Sequence, residues 1–138
     1  MSITGSCLCG NVTFAYSGDM ADAAYCHCTD CRKTTGSAFN ISIGLAADGF
    51  EITKGTPKTY TKTADSGQAI TRHFCADCGA PLYTSSPAYP ERIYIKAGAL
   101  DDPGVVKPTY QSYTRSRVTW SKIDDDLPGF ETDRAEGL

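Results

Sequence analysis

The sequence predicts an all-β domain of short antiparallel strands with little helix. Two observations carry that expectation: six short runs rich in β-branched and aromatic residues, and turn signals between the runs. A third is negative: no stretch of ten or more residues follows the helical period. The runs, in order, are Thr13 to Tyr16, Ala38 to Ile43, Phe50 to Thr53, Lys58 to Thr63, Ala69 to Phe74 and Arg92 to Lys96. Glu51-Ile52-Thr53 and Arg92-Ile93-Tyr94-Ile95-Lys96 alternate polar with apolar, as a half-buried strand does. The breaks fall at Cys9-Gly10-Asn11, Ser17-Gly18-Asp19, Lys54-Gly55-Thr56-Pro57, Asp65-Ser66-Gly67, Ser86-Pro87 and Asp101-Asp102-Pro103-Gly104. A single helical turn is expected at Thr29 to Thr34.

A chain of 138 residues and 14.8 kDa is the size of one compact domain. Residues 1–130 are expected to form it, with 131–138 as a loose acidic tail. From residue 124 onward there are six acids and one base, so the rest of the chain is mildly basic. The net charge of -3 and pI near 5.2 argue against nucleic acid as a partner. No run reaches the roughly 18 apolar residues of a membrane span. The N-terminus has no basic cluster and no apolar export segment, so the expected location is cytoplasmic.

Seven cysteines are many for a chain with no export signal, and in a reducing compartment they point to metal or thiol chemistry. They fall in three clusters: Cys7-Leu8-Cys9, Cys26-His27-Cys28-Thr29-Asp30-Cys31, and Cys75-Ala76-Asp77-Cys78-Gly79. A Cys-x-x-Cys followed by glycine suits a metal knuckle, because glycine accepts the positive φ of the tight turn. A Cys-x-Cys on a strand sends both sulfurs to one face and the middle residue to the other. Leu8 is therefore expected in the core. His27 is expected to face away from its flanking sulfurs as a packing residue, and His73 is not expected to be a ligand. Seven thiolates divide as four plus three: four close a tetrahedral structural zinc site, and three leave one position open. Cys26, Cys28 and Cys31 can reach one ion, leaving Cys7, Cys9, Cys75 and Cys78 for the other. Pairing Cys7 and Cys9 with Cys26 and Cys28 satisfies the count as well.

The segments Gly5-Ser6-Cys7-Leu8-Cys9-Gly10, Cys26-His27-Cys28-Thr29-Asp30-Cys31-Arg32-Lys33 with Gly36-Ser37-Ala38-Phe39, and Phe74-Cys75-Ala76-Asp77-Cys78-Gly79-Ala80-Pro81-Leu82 together resemble the glutathione-dependent formaldehyde-activating enzyme family. That family includes the centromere protein V type domains. The resemblance continues through Ala97-Gly98-Ala99-Leu100-Asp101-Asp102-Pro103 and Trp120 to Leu127-Pro128-Gly129-Phe130. It implies a β-tent fold of packed antiparallel sheets and two zinc ions. The structural zinc would sit on Cys7, Cys9, Cys75 and Cys78, and the catalytic one on Cys26, Cys28 and Cys31. The implied activity is that of a carbon–sulfur lyase, joining formaldehyde to glutathione as S-hydroxymethylglutathione and reversing it. The chain departs from the pattern at Gln111, where the resemblance leads one to expect histidine.

The implied partners are a small thiol and a small aldehyde. Glutathione brings two carboxylates, so cations are needed. Arg32, Lys33 and Arg72 flank the clusters, and Arg115 and Arg117 lie further on. Ser37, Phe39 and Tyr113 are candidates to line a pocket, with Phe39 equally suited to the core. Trp120 would report on the site if the C-terminal segment folds over it. Two other functions compete: a zinc-stabilised binding module without catalysis, and a thiol-redox protein using Cys28 and Cys31. The second lacks the βαβ context of thioredoxin-like motifs.

Overall fold

A computed structural model describes residues 2–122 and 126–134. Asp124, Asp125 and Glu136, counted above in the acidic stretch, lie outside the described residues, as do 135 and 137–138 of the expected tail.

Among the described residues, ten strands form two sheets. The smaller sheet has order β1-β2-β5: β1 (Ser2–Ser6), β2 (Thr13–Ser17) and β5 (Phe50–Lys54). The larger has order β10-β3-β4-β9-β8-β7-β6. Its strands are β3 (Met20–Cys26), β4 (Asn40–Ala46), β6 (Lys58–Thr63), β7 (Ala69–Phe74), β8 (Pro81–Ser85), β9 (Arg92–Lys96) and β10 (Pro108–Ser112). All pairs are antiparallel except β10 with β3, which is parallel. The one α-helix among the described residues, α1 (Thr29–Thr35), joins β3 to β4 and outlasts its expected range by one residue. No helix is long and apolar enough to cross a membrane among the described residues.

Strand alternation explains how the larger sheet serves two purposes. Along β4 and β9, Ile43, Leu45, Ile93 and Ile95 face the small sheet and meet Phe14, Tyr16 and Leu82 in the core. Their neighbours Ser42, Gly44, Arg92, Tyr94 and Lys96 face the other way, into a cavity of about 610 Å³. The cross-strand register aligns Arg72, Thr84, Tyr94 and Gly44 in one row across that face. Close approach of the Phe14 ring on β2 and of the turn at Ala97–Ala99 requires Gly5. A Cβ there would lie 2.3 Å from the Phe14 ring and 2.4 Å from the Ala99 carbonyl oxygen.

After β10 the chain returns alongside it. Gln111 N–H donates to Pro128 O and Phe130 N–H to Gln111 O, both at 2.9 Å. Tyr113 N–H then donates to Thr132 O at 3.1 Å. Arg134 lies 4.0 Å from the centre of the Tyr110 ring and pairs with Asp22 at 3.5 Å.

Candidate metal centres and cavity

The first group of cysteines is built from two hairpin loops. Residues 7–12 join β1 to β2 and residues 75–80 join β7 to β8, and each loop closes on its own first cysteine. Cys7 N–H donates to Val12 O and Cys75 N–H to Ala80 O, both at 3.0 Å. Gly10 (φ +79) and Gly79 (φ +77) take the left-handed conformation that each reversal requires. Asn11 donates to the Asp77 carboxylate at 2.9 Å and ties one loop to the other. The sulfurs of Cys7, Cys9, Cys75 and Cys78 all lie within 4.8 Å of one another.

This geometry corrects the expectation for Leu8. Residues 7–9 are a turn at the end of the β1–β2 hairpin, so strand alternation does not apply there. The Leu8 side chain sits at the apex and is 89% exposed.

The second group uses a strand end and a helix start. Cys26 is the last residue of β3. Cys28 caps α1, its sulfur accepting the Cys31 N–H at 3.1 Å, and one helical turn places Cys31 beside it. The sulfurs of these three also lie within 4.8 Å of one another. Here the alternation holds. The Cys26, Cys28 and Cys31 side chains line the cavity, while His27 turns away and is buried. His27 Nε2 meets Gln111 Oε1 at 2.8 Å, and its ring lies edge-on to Phe39. The residue standing where histidine was expected thus holds the histidine of the second cluster. His73 stacks on Tyr83 at 4.0 Å and meets Ser85 Oγ at 2.9 Å, and neither histidine joins a cysteine group.

In both groups the sulfurs perturb one another's protonation. In the second, hydrogen bonds from the Cys26 thiol and then the Cys31 thiol pull Cys28 down to about 2. Cys26 is raised to about 11, chiefly by its contact with Cys28, and Cys31 is raised strongly by Cys26 and Cys28. One thiolate forms easily, and its charge then opposes the next. In the first group Cys78 is lowered to about 6, with the Ala80 backbone N–H the leading cause. A divalent ion removes the opposition among the remaining thiols, so each donor set fits a thiophilic metal.

Of the cations proposed from the sequence, Arg72 lines the cavity. Arg32, Lys33 and Ser37 do not, and the last two are exposed on and just after α1. Arg115 pairs with Asp65 at 3.7 Å, and Arg117 Nε donates to Ser121 O at 2.7 Å. Phe39 packs edge-on to Tyr25 rather than lining this cavity, whereas Tyr113 does line it. Tyr113 is the one non-glycine residue with positive φ (55°) among the described residues. Trp120 is 76% exposed and away from the cavity lining. Sequence reading missed Lys62, Arg92 and Lys96 as cavity residues. The polar face of Arg92-Ile93-Tyr94-Ile95-Lys96 was the available signal, but alternation alone does not tell a cavity from open solvent.

The fold and these two groups define a class: a two-sheet β protein with a four-cysteine cluster between two hairpin loops and a three-cysteine cluster facing a cavity. The sequence profile of the family described as "Glutathione-dependent formaldehyde-activating enzyme" matches residues 2–116, and the chain belongs to that family. A Phaeosphaeria nodorum protein named "Putative glutathione-dependent formaldehyde-activating enzyme" is 24% identical over 136 residues, covering 96% of this chain and 70% of its own length. A Fusarium vanettenii protein of the same name is 30% identical over 79 residues. That match covers 56% of this chain and 41% of the relative, less than half its length. A crystal structure of a Rhodobacter sphaeroides protein superposes with a TM-score of 0.59 at 18% identity, covering 93% of this chain and 99% of that one. This likeness speaks to the fold.

Proposed function

We propose that the chain is a zinc-dependent carbon–sulfur lyase that joins formaldehyde, or another small aldehyde, to glutathione or a similar thiol. The observation that carries this reading is the asymmetry between the two cysteine groups. Four sulfurs close around one point at a hairpin junction, whereas three face a cavity of about 610 Å³, within the size range of small-molecule sites. Cys7, Cys9, Cys75 and Cys78 would hold a structural zinc, and Cys26, Cys28 and Cys31 a second zinc with one position left for substrate. Zinc, when bound there, holds a substrate thiol in its thiolate form at neutral pH.

The chain's own residues do the rest. Arg72 and Arg92 line the cavity with no carboxylate partner among the described residues, and they receive the carboxylates of a glutathione-like thiol. Arg32, Lys33 and Ser37 are not needed for this. The cavity wall holds the aldehyde carbon against the sulfur. A C–S bond forms as the C=O π pair moves to oxygen. The proton lost by the thiol equals the one the alkoxide gains, so the addition is redox-neutral and reverses by the same route.

The test is exchange of formaldehyde with glutathione, followed by NMR magnetisation transfer, together with zinc per chain. Two zincs and an exchange rate above the spontaneous one are expected, with the acceleration lost in Cys31→Ser. Exchange at the spontaneous rate with both zincs present would overturn the reading.

A further inference from the structure

Lys96 is the buried lysine of the molecule: 8% exposed, and the one charged side chain of Asp, Glu, Lys or Arg in the buried set among the described residues. It ends β9 on the cavity face, opposite Ser42, and Ser42 in turn pairs with Ala24 of β3. Those two small side chains leave room for a long one. Cys26 follows Ala24 by two residues, on the same face. Lys96 thus lines the cavity that Cys26, Cys28 and Cys31 line, and it has no carboxylate partner among the described residues. Burial pushes its ammonium toward the neutral form, Arg72 adds to that, and the three cysteines, as thiolates, oppose it.

A buried ammonium is costly, so an anionic group placed beside it favours its charged form. Three thiolates and one divalent ion carry a net charge of about -1, by simple count of the donor set. A fourth ligand arriving as thiolate makes that about -2, whereas a neutral ligand leaves it unchanged. A fixed cation beside the cluster therefore distinguishes the two kinds of ligand. We propose that Lys96 is a specificity-determining residue of the cavity: its buried ammonium favours an anionic sulfur over a neutral ligand beside Cys26, Cys28 and Cys31. This rests on the thiol-binding reading above.

The experiment uses the full chain loaded with cobalt, whose thiolate charge-transfer absorption reports each added sulfur. 2-Mercaptoethanol is the anionic-sulfur probe, because it has no carboxylate for Arg72 or Arg92. Imidazole is the neutral probe. Lys96→Met is expected to bind 2-mercaptoethanol about tenfold more weakly and imidazole as wild type does, while Lys96→Arg stays within about twofold of wild type for both. Loss of both ligands in Lys96→Met, or of neither, would overturn the assignment while leaving the thiol reading in place. A wild-type protein that takes up cobalt but no thiol would overturn both. Should Lys96→Met not take up the metal, Lys96→Gln carries the same comparison.

Discussion

The chain uses Cys-x-Cys twice, at Cys7-Leu8-Cys9 and Cys26-His27-Cys28, and the two copies behave as opposites. In the first, the middle residue is the most exposed large apolar side chain among the described residues; in the second, it is buried and hydrogen-bonded. The difference lies in what the backbone is doing. Residues 7–9 sit in a connection that must reverse the chain between β1 and β2. Residues 26–28 stay extended past the end of β3, and the His27 N–H still donates to Ser112 O of the parallel neighbour β10. The first group therefore gathers sulfurs from two hairpin loops distant in sequence. The second presents its sulfurs to a cavity. One spacing thus serves two arrangements of sulfurs, and the local hydrogen bonding decides between them.

The sharpest way to break this comparison is to remove one sulfur from each group. Cys78→Ser should leave a chain that binds about one zinc fewer and has lost most of its cooperative melt, because structural metal binding is folding free energy. Cys31→Ser should keep the melt within a few degrees while losing catalysis. Equal unfolding of both variants, read by circular dichroism, would remove the division of labour.

A chelator titration sharpens it further. Zinc at the three-cysteine cluster should leave first, with the fold intact, since a site facing a cavity exchanges ligands more easily than a closed one. Release of both metals in a single step coincident with unfolding would argue against separate roles.

The next effect concerns Gln111. Gln111→Leu strands His27 Nε2 in a buried position, which should lower stability by about 1–3 kcal/mol in urea unfolding. Gln111→His should recover part of that loss. The smallest effect belongs to the apex of the first turn. Leu8→Ser should change stability by less than about 0.5 kcal/mol, because its side chain is already in water. A loss of 2 kcal/mol or more there would mean that the side chain is covered in solution.

Much of the fold was legible. The runs Lys58 to Thr63, Ala69 to Phe74 and Arg92 to Lys96 became β6, β7 and β9 with the expected bounds. The expected Thr13 to Tyr16 and Phe50 to Thr53 each gained one residue, whereas Ala38 to Ile43 shifted forward to Asn40–Ala46. β3 was not legible, because Met20-Ala21-Asp22-Ala23-Ala24 is poor in β-formers. It is a strand because β4 and β10 pair with it on either side. β1, β8 and β10 were missed as well. In the candidate site, the four-plus-three grouping of sulfurs was among the divisions the spacing allowed. The cation set was not legible beyond Arg72.

The sequence by itself determined the all-β class, the thiol-rich chemistry, and which cysteines have neighbours close enough to share an ion, since spacing and alternation are local properties. Tertiary structure alone decided that residues 7–9 turn while residues 26–28 extend. It also decided that Arg92, Tyr94 and Lys96 line a cavity rather than an open face of the sheet. Both depend on which strands come to lie alongside, and pairing between residues as distant as Cys26 and Ser112 is not encoded in any local window.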